Sequence, residues 1–249
     1  MVIDLNSDLG EGFGAYTMSD DAALLDVVTS ANVACGFHGG DPVIMRRTCD
    51  LAVAHGVRIG AHISYRDLAG FGRREMAVSP AELTAESIYQ IGALDGFARA
   101  AGDRVRYVKP HGALYHSAAS DPAAAEAVVA ALLAFDELSL LGPADSELAR
   151  AAEAAGIPFH AEGFADRAYT PEGRLVPRGR AGAVLAAEAA IGQALSIAVD
   201  GHAHTVAGEP VRVEVRSLCV HGDSPDAVRM ARSIRQSLLD KGVELRSFT

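Results

Sequence analysis

The sequence of 249 residues contains no tryptophan, only two lysines and only three cysteines. Cys35, Cys49 and Cys219 are odd in number, lie far apart and include no CxxC pair, so we expect reduced, buried thiols in a cytoplasmic protein. No apolar run reaches the length of a membrane span, and the N-terminus lacks the pattern of a signal peptide. The sequence therefore predicts a cytoplasmic protein that does not enter a membrane.

Basic side chains are scarce relative to acidic ones: 22 Lys and Arg against 32 Asp and Glu give a formal net charge of −10 at pH 7. A protein that follows nucleic-acid phosphates needs a basic surface, so this balance argues against nucleic-acid binding. No linker rich in Pro, Gly or Ser divides the chain, and α/β barrels commonly use this length as one domain. We expect a single domain over residues 1–249.

Motifs of several common enzyme classes are also missing. The sequence has no GxxxxGK[ST] phosphate loop, no GxSxG elbow and no HExxH helix, which removes the anchors of P-loop, serine-hydrolase and zinc-protease sites. The segment GEGFG at residues 10–14 is GxGxG rather than GxGxxG, and Glu11 would stand where a pyrophosphate should bind. We do not expect a dinucleotide site there.

Short β-branched runs alternate with helical segments along the whole chain, and repeated βα units predict a parallel sheet with helices outside it. Helix starts are indicated by capping residues at Asp41, Ser79 and Asp121, each followed by proline. We predict a strand that ends at Lys109 and six others at residues 2–5, 32–35, 57–61, 138–141, 157–159 and 218–220. We further expect a helix over 183–199 and a hairpin that pairs 205–206 with 211–215 across Gly208.

Ionisable residues follow six of the seven predicted core strands. Closing the sheet into a barrel would bring all of these strand ends around one depression. We therefore predict an imperfect, TIM-like (β/α) barrel. The groups are Asp8 and Glu11; His38 and Asp41; His62; Lys109 and His111; Glu162, Asp166 and Arg167; and His221 and Asp223.

The segment VKPHG at residues 108–112 is the clearest of these strand ends. Pro110 removes a backbone donor and Gly112 allows a turn, which leaves Lys109 and His111 at the mouth of a strand. A structural alternative is that Lys109 pairs with a carboxylate to join two loops while His111 caps the next helix.

The histidines and carboxylates at the strand ends fit two kinds of chemistry. They suit a divalent metal with an open coordination position, or acid, base and substrate-binding roles without a metal. The sequence leaves both open. The histidines are His38, His62, His111 and His221, and the carboxylates are Asp8, Glu11, Asp41 and Asp223.

Seven segments, in order along nearly the whole chain, resemble the LamB/YcsF family. They are NSDLGE (6–11), ANVACGFHGGD (31–41), GAH (60–62), GFGRR (70–74), VKPHGALY (108–115), FADR (164–167) and CVHGD (219–223). One departure is Ile63, where the family usually has proline. The resemblance implies a barrel related to glycoside hydrolases and deacetylases. It also implies ATP-dependent conversion of 5-oxo-L-proline to L-glutamate by a 5-oxoprolinase, with two partner subunits, B and C.

This resemblance suggests roles for individual residues. Asp8 or Glu11 would position or deprotonate water, and His111 or His62 would protonate the departing nitrogen. Lys109 with an arginine would bind the substrate carboxylate or a phosphoryl oxygen of ATP, the expected co-substrate. The candidate catalytic residues are Asp8, Glu11, His62, Lys109, His111 and Asp223, and the candidate binding residues are Asn6, His38, Asp41, Arg73, Arg74, Arg167 and His221.

Two alternatives remain open on the sequence alone. The first is a metal-dependent, deacetylase-like hydrolase acting on a small amide or sugar, which would use the same histidines. The second is a non-catalytic subunit that activates its partners.

Overall fold

The computed structural model describes residues 1–221 and 226–249. Asp223, one of the candidate catalytic residues, lies outside the described residues. Within these ranges the strands are β1 (Val2–Leu9), β2 (Ser30–Ala34), β3 (Arg58–Ile63), β4 (Tyr107–Pro110), β5 (Ser139–Gly142), β6 (Phe159–Phe164), β7 (His202–His204), β8 (Pro210–Arg212), β9 (Ser217–Cys219) and β10 (Glu244–Leu245).

Seven strands form a closed parallel barrel, which confirms the predicted fold class. Their order is β1, β2, β3, β4, β5, β6 and β9, and β9 closes the ring because it pairs with both β6 and β1. β10 pairs with Val2 and Ile3 at the start of β1, and β9 pairs with the residues of β1 that follow, from Asp4 to Asn6. β7 and β8 form an antiparallel hairpin of their own.

The helices begin largely where the sequence predicts. Asp41, Ser79 and Asp121 each accept a hydrogen bond from a backbone amide in the first turn of the helix that they precede. The described helices are α1 (Asp21–Leu25), α2 (Pro42–Ala54), α3 (Pro80–Ala100), α4 (Gly112–Ser120), α5 (Pro122–Leu132), α6 (Glu147–Ala154), α7 (Ala187–Leu195) and α8 (Ala227–Asp240). None of them is long and apolar enough to cross a membrane.

The inside of the barrel is polar, and its apolar core lies between the strands and the helices. In β1, Ile3 and Leu5 belong to this core, whereas Asp4 and Asn6 are fully buried and hydrogen-bonded to other barrel strands. Alternate residues of a strand face opposite sides of the sheet. The side chains at positions 4, 6 and 8 therefore form a row inside the barrel that leads to the site.

Several predicted boundaries are wrong. β1 continues to Leu9, because its polar residues are inward-facing strand positions rather than a loop. Glu162 lies within β6 and not after it. The helix expected over 183–199 starts at Ala187 and ends in a π-helical turn, Ser196–Asp200. The hairpin turns at Gly208 as predicted. Its paired strands, however, are β7 and β8, so residues 202–204 pair with 210–212 instead of 205–206 with 211–215.

Candidate active site

The lower end of the barrel, where its strands begin, is occupied by the buried carboxylate of Asp4. It accepts hydrogen bonds of 2.6 Å from both Thr29 Oγ1 and Ser30 Oγ, and a further one from the Ser217 hydroxyl. Burial raises the pKa of Asp4 to about 6, although the three hydroxyl groups oppose the rise. Asp4 is a structural carboxylate that ties β1 to β2 and β9.

A row of amides lies above it. Asn32 Nδ2 donates to Asn6 Oδ1 at 2.7 Å and to Asp8 Oδ1 at 2.8 Å, while the Tyr107 hydroxyl donates to Asn32 Oδ1 at 2.7 Å. The Tyr107 ring fits only because residue 60 is glycine: a Cβ at Gly60 would lie 2.2 Å from ring carbons. These contacts fix the position of Asp8 from below.

Lys109 is 1% exposed and lies at the centre of the barrel. Its Nζ is 2.7 Å from Glu162 Oε1, 3.0 Å from Asp8 Oδ1 and 3.5 Å from Cys219 Sγ. Burial disfavours the ammonium, but Asp8, Cys219 and Glu162 outweigh it and hold the pKa of Lys109 well above its usual value. Lys109 therefore pairs with carboxylates, as the structural alternative expected, but it joins barrel strands rather than loops.

Glu11, His38, His62 and His111 form a second cluster, the histidine group, above Lys109. One ligand-type atom from each lies within 4.8 Å of the others. Glu11 Oε1 is 3.0 Å from His38 Nε2, 3.4 Å from His111 Nδ1 and 3.8 Å from His62 Nε2. His111 Nδ1 is 3.0 Å from His62 Nε2. Four side chains from separate parts of the sequence thus converge on one point.

Backbone carbonyls fix the ring orientation of His62 and His111. His62 Nδ1 lies 3.1 Å from Lys109 O, and His111 Nε2 lies 2.8 Å from Phe71 O. A carbonyl only accepts, so these nitrogens are the donors. His111 is the N-cap residue of α4, yet its side chain makes no capping hydrogen bond to any described residue. The expected capping role is therefore not observed.

The loop before α3 packs closely against the histidine group at Gly72. Gly72 has φ +64°, and a Cβ there would lie 2.2 Å from Ser64 Oγ and 2.8 Å from both His111 Cδ2 and His38 Cβ. Gly72 O also accepts a hydrogen bond from Ala113 N in the first turn of α4. The segment GFGRR thus holds Phe71 O against His111.

The carboxylates at the top of the barrel differ in environment. Burial alone would raise the pKa of Asp8, but His62 and Lys109 outweigh it and hold this pKa well below its usual value. Burial raises the pKa of Glu11.

Two histidines of the histidine group are also affected by burial. Burial, reinforced by the neighbouring imidazoles, holds the pKa values of His38 and His111 well below the usual value, which keeps both rings neutral.

A cavity of about 300 Å³, the central pocket, opens at this end of the barrel. It brings together five candidate catalytic residues and three of the candidate binding residues. The former are Asp8, Glu11, His62, Lys109 and His111, and the latter are Arg73, Arg167 and His221.

Four other candidates do not line the central pocket. Asn6 is buried beneath Lys109, and His38 contacts Glu11 without lining the central pocket. One oxygen of Asp41 caps α2 and the other accepts from Gly14 N at 2.8 Å. Arg74 forms an ion pair with Asp67, its side chain is 66% exposed, and it does not line the pocket.

The candidate set omits several polar residues at or beside the central pocket, among them Asp166, Tyr115 and Arg178. His221 Nδ1 lies 2.8 Å from both carboxylate oxygens of Asp166, so Asp166 orients the imidazole. The Tyr115 hydroxyl is buried and has no hydrogen-bond partner among the described residues, and Arg178 lines the pocket from the segment after β6. Asp166 and Tyr115 lie in the segments FADR and VKPHGALY, which marks them, whereas no local pattern marks Arg178.

Comparisons with known proteins agree with this architecture. The LamB/YcsF family model matches residues 3–249. The A subunit of 5-oxoprolinase from Nocardia farcinica (strain IFM 10152) is 66% identical over 249 residues, covering 100% of both chains. The crystal structure of the lactam utilization protein from Thermus thermophilus matches with a TM-score of 0.94 and 43% identity, covering 100% of both chains.

A more distant structure shares the fold alone. The family 4 carbohydrate esterase from Streptomyces lividans, in complex with acetate, matches with a TM-score of 0.51 and 11% identity, covering 100% of this chain and 93% of the esterase. The family match, in contrast, spans all of the segments that meet at the central pocket. This chain belongs to the LamB/YcsF family.

Proposed function

We propose that this chain is the A subunit of an ATP-dependent 5-oxoprolinase and opens the lactam of 5-oxo-L-proline to give L-glutamate, acting with partner subunits B and C. Support comes from the 66% identical relative, which is named as the A subunit of 5-oxoprolinase, and from the structural relative named a lactam utilization protein. Both cover the full chain, so no large part of the barrel is unmatched.

The observation that carries the proposal is the gathering of Asp8, Glu11, His62, Lys109 and His111 around one pocket. A volume of about 300 Å³ is at the lower limit of ligand pockets, which suits a small cyclic amide. The lining combines carboxylates, imidazoles and arginines. Such a set can activate water, supply a proton and bind a carboxylate in one place.

Opening the ring requires that water add to the carbonyl carbon of the lactam. The bond from that carbon to the ring nitrogen then breaks, the nitrogen takes a proton, and a free amine and a new carboxylate result. Asp8 is fixed from below by Lys109 and Asn32 through Oδ1, while Oδ2 faces His62 Nε2 at 3.4 Å. We assign Asp8 to holding and deprotonating the attacking water.

The departing nitrogen needs a proton donor. His62 and His111 each direct one N–H to a backbone carbonyl, so that proton is not free for transfer. His221 is oriented through Nδ1 by Asp166 and lines the central pocket. We therefore assign the proton transfer to His221, with Asp166 as its positioning residue.

The substrate carboxylate needs cationic partners. Arg73, Arg167 and Arg178 all line the central pocket. Arg167 is held by backbone carbonyls, with Nη2 2.6 Å from Val176 O and Nε 3.3 Å from Ala183 O. Because a guanidinium held in this way is preorganised, we assign carboxylate binding mainly to Arg167.

ATP enters this scheme as a co-substrate that activates the lactam carbonyl. An unstrained amide has a poor leaving group, and transfer of the γ-phosphoryl group of ATP to its oxygen, with release of ADP, would lower the barrier. Addition of water and loss of the ring nitrogen would then leave an acyl phosphate, which a second water hydrolyses to the carboxylate and inorganic phosphate. The sequence carries no P-loop. We propose that efficient ATP use requires subunits B and C.

The test is to assay glutamate formation from 5-oxo-L-proline by the purified chain alone and by the chain reconstituted with B and C, each with and without ATP. The proposal expects ATP-dependent glutamate only from the complete assembly. Robust turnover by the single chain without ATP would instead favour a self-sufficient amide hydrolase. Unchanged activity of a complex in which Asp8, His221 and Arg167 are all replaced would favour a non-catalytic activator.

A further inference from the structure

We propose that Glu11, His62 and His111 bind one divalent metal ion of the zinc type, with His38 as the residue that positions Glu11. The inference goes beyond the proposed function and does not depend on it, because it concerns the ion alone and requires no substrate. It rests on the geometry of the histidine group.

The first argument is the orientation of lone pairs. His62 donates through Nδ1 to Lys109 O, and His111 donates through Nε2 to Phe71 O. The remaining ring nitrogens, His62 Nε2 and His111 Nδ1, face each other at 3.0 Å and lie 3.8 Å and 3.4 Å from Glu11 Oε1. Two imidazole nitrogens this close need a positive charge between or beside them, which a metal ion or a shared proton can supply.

The hydrogen-bonded nitrogens supply the second argument. Histidine ligands of metals almost always donate their other ring N–H to a carbonyl or carboxylate, which fixes the tautomer and the ring plane. Both His62 and His111 have such a partner in the backbone. The rings are therefore already oriented as metal ligands would be.

The spacing of the three donor atoms is the third argument. Zn–N and Zn–O bonds of about 2.0–2.1 Å in a tetrahedral site place neighbouring ligand atoms about 3.3 Å apart. The three observed separations between Glu11 Oε1, His62 Nε2 and His111 Nδ1 are 3.0, 3.4 and 3.8 Å. An ion fits this triangle with small side-chain adjustments, and one carboxylate with two imidazoles is a ligand set of catalytic zinc sites.

His38 differs from the other two histidines. Its Nε2 lies 3.0 Å from Glu11 Oε1, and its Nδ1 is buried without a hydrogen-bond partner in the described part of the chain. As a metal ligand through Nε2 it would leave a buried N–H at Nδ1 unsatisfied, which is costly. As a donor to Glu11 it leaves only a lone pair there. His38 also stacks on His111 at 3.8 Å with nearly parallel rings.

The open side of the triangle faces the central pocket. Glu11, His62 and His111 all line that pocket, whereas His38 does not. Three protein ligands with a vacant position toward a cavity are typical of catalytic rather than structural zinc. The site would therefore present the ion to whatever occupies the pocket.

The test uses the full chain, stripped with a chelator and titrated with Zn²⁺ by calorimetry and with Co²⁺ by visible absorption. The expected result is one ion per chain and a cobalt spectrum of low coordination number. Glu11→Gln, an isosteric change, should abolish this saturable binding, as should His111→Ala. His38→Ala should retain one ion but weaken its affinity by about 10–100-fold, the usual effect of losing a residue behind the ligands.

Two matched controls accompany these variants. His116→Ala removes a histidine that lines the same pocket outside the histidine group, and His55→Ala removes one on the surface. Both should bind the ion as the unmodified chain does. Circular dichroism checks folding, and the Glu11→Gln variant decides the question if His111→Ala does not fold.

Three results would overturn the proposal. One is the absence of saturable binding by the unmodified chain, which would mean that the two imidazoles share a proton instead. Another is unchanged binding by folded Glu11→Gln. The third is loss of the ion on His221→Ala with Glu11→Gln unaffected, which would place it at the neighbouring set of Asp8, Cys219 and His221. None of these results bears on whether 5-oxoproline is the substrate.

Discussion

Lys109 Nζ lies 2.7 Å from Glu162 Oε1 inside the barrel, where both side chains are shielded from solvent. Together with Asp8, this pair links strands β1, β4 and β6 through buried charge. A buried ion pair adds little stability compared with an apolar core, but removal of one partner leaves an uncompensated charge. Lys109 therefore supports the barrel as well as the pocket.

Replacement of Lys109 by methionine should lower the free energy of unfolding by about 3–5 kcal/mol, because Asp8 and Glu162 lose their buried partner. Urea denaturation measures the change. Lys241→Met is the matched control, since the other lysine is exposed just after α8 and its replacement should leave stability nearly unchanged. Adding Glu162→Gln to Lys109→Met should restore part of the loss. A Lys109→Met chain as stable as the unmodified one would contradict this role.

Gly60→Ala should destabilise the barrel, because the new methyl group would overlap the Tyr107 ring. The ring must move away from Asn32, and overpacking of this kind costs about 1–3 kcal/mol. Gly92→Ala in α3 is the control: a Cβ there would lie at an ordinary contact distance, 3.9 Å, from Phe135, and alanine should stabilise the helix by about 0.5–1 kcal/mol. Thermal unfolding of the two variants should shift in opposite directions, and equal shifts would be evidence against the tight contact.

Asp4 predicts a pH dependence of stability. Its pKa rises from 3.8 in the unfolded chain to about 6 in the fold, so between these values the folded state binds the additional proton. Stability contributed by this group is therefore complete below pH 4 and falls by about 3 kcal/mol as the pH rises through 6. The difference in unfolding free energy between the unmodified chain and Asp4→Asn, measured from pH 4 to 8, should show this decline. A difference independent of pH would contradict it.

Asp166→Asn should reduce glutamate formation by the assembled complex about 100-fold or more, since His221 would lose the carboxylate that orients it. The pH profile of the remaining activity should also change, which a purely structural role would not produce. Asp26→Asn removes the partner of another histidine, His55, at 3.1 Å on the surface and should leave both the rate and the profile unchanged. Equal effects of the two substitutions would exclude a specific role for Asp166.

The sequence predicts those parts of the fold that depend on neighbouring residues. Asp41, Ser79 and Asp121 mark helix starts because a short polar side chain and a following proline act within one turn. The barrel follows from the repeated βα units, and the meeting of Asp8 with Lys109 follows from the barrel.

The polar interior could not be predicted in the same way. In β1 the alternating polar residues look like the start of a loop, because their partners are distant in sequence; Asn6 and Ser217, for example, are 211 residues apart. Buried parallel strands usually have apolar side chains on both faces. Asp4 lies within the strand predicted at residues 2–5, but only the hydrogen bonds across the barrel show that Asn6 continues this strand.

The same limit applies to individual site residues. His38 and His62 are both predicted at strand ends and belong to the same histidine group, but His62 lines the central pocket whereas His38 lies behind it, beside Glu11. Asp41 is a candidate binding residue because it ends the segment at residues 31–41, which resembles the family, but its carboxylate accepts hydrogen bonds from backbone amides. Position at a strand end indicates the region of the site but not the direction of a side chain.

The most direct measurement is the rate of ATP-dependent glutamate formation from 5-oxo-L-proline by the complex of this chain with subunits B and C, compared with the same complex carrying Asp8→Asn. The account predicts that the variant assembles and loses activity by about 100-fold or more, the usual contribution of a positioned general base. An assembled Asp8→Asn complex that forms glutamate at the unmodified rate would contradict the assignment of the reaction to this pocket.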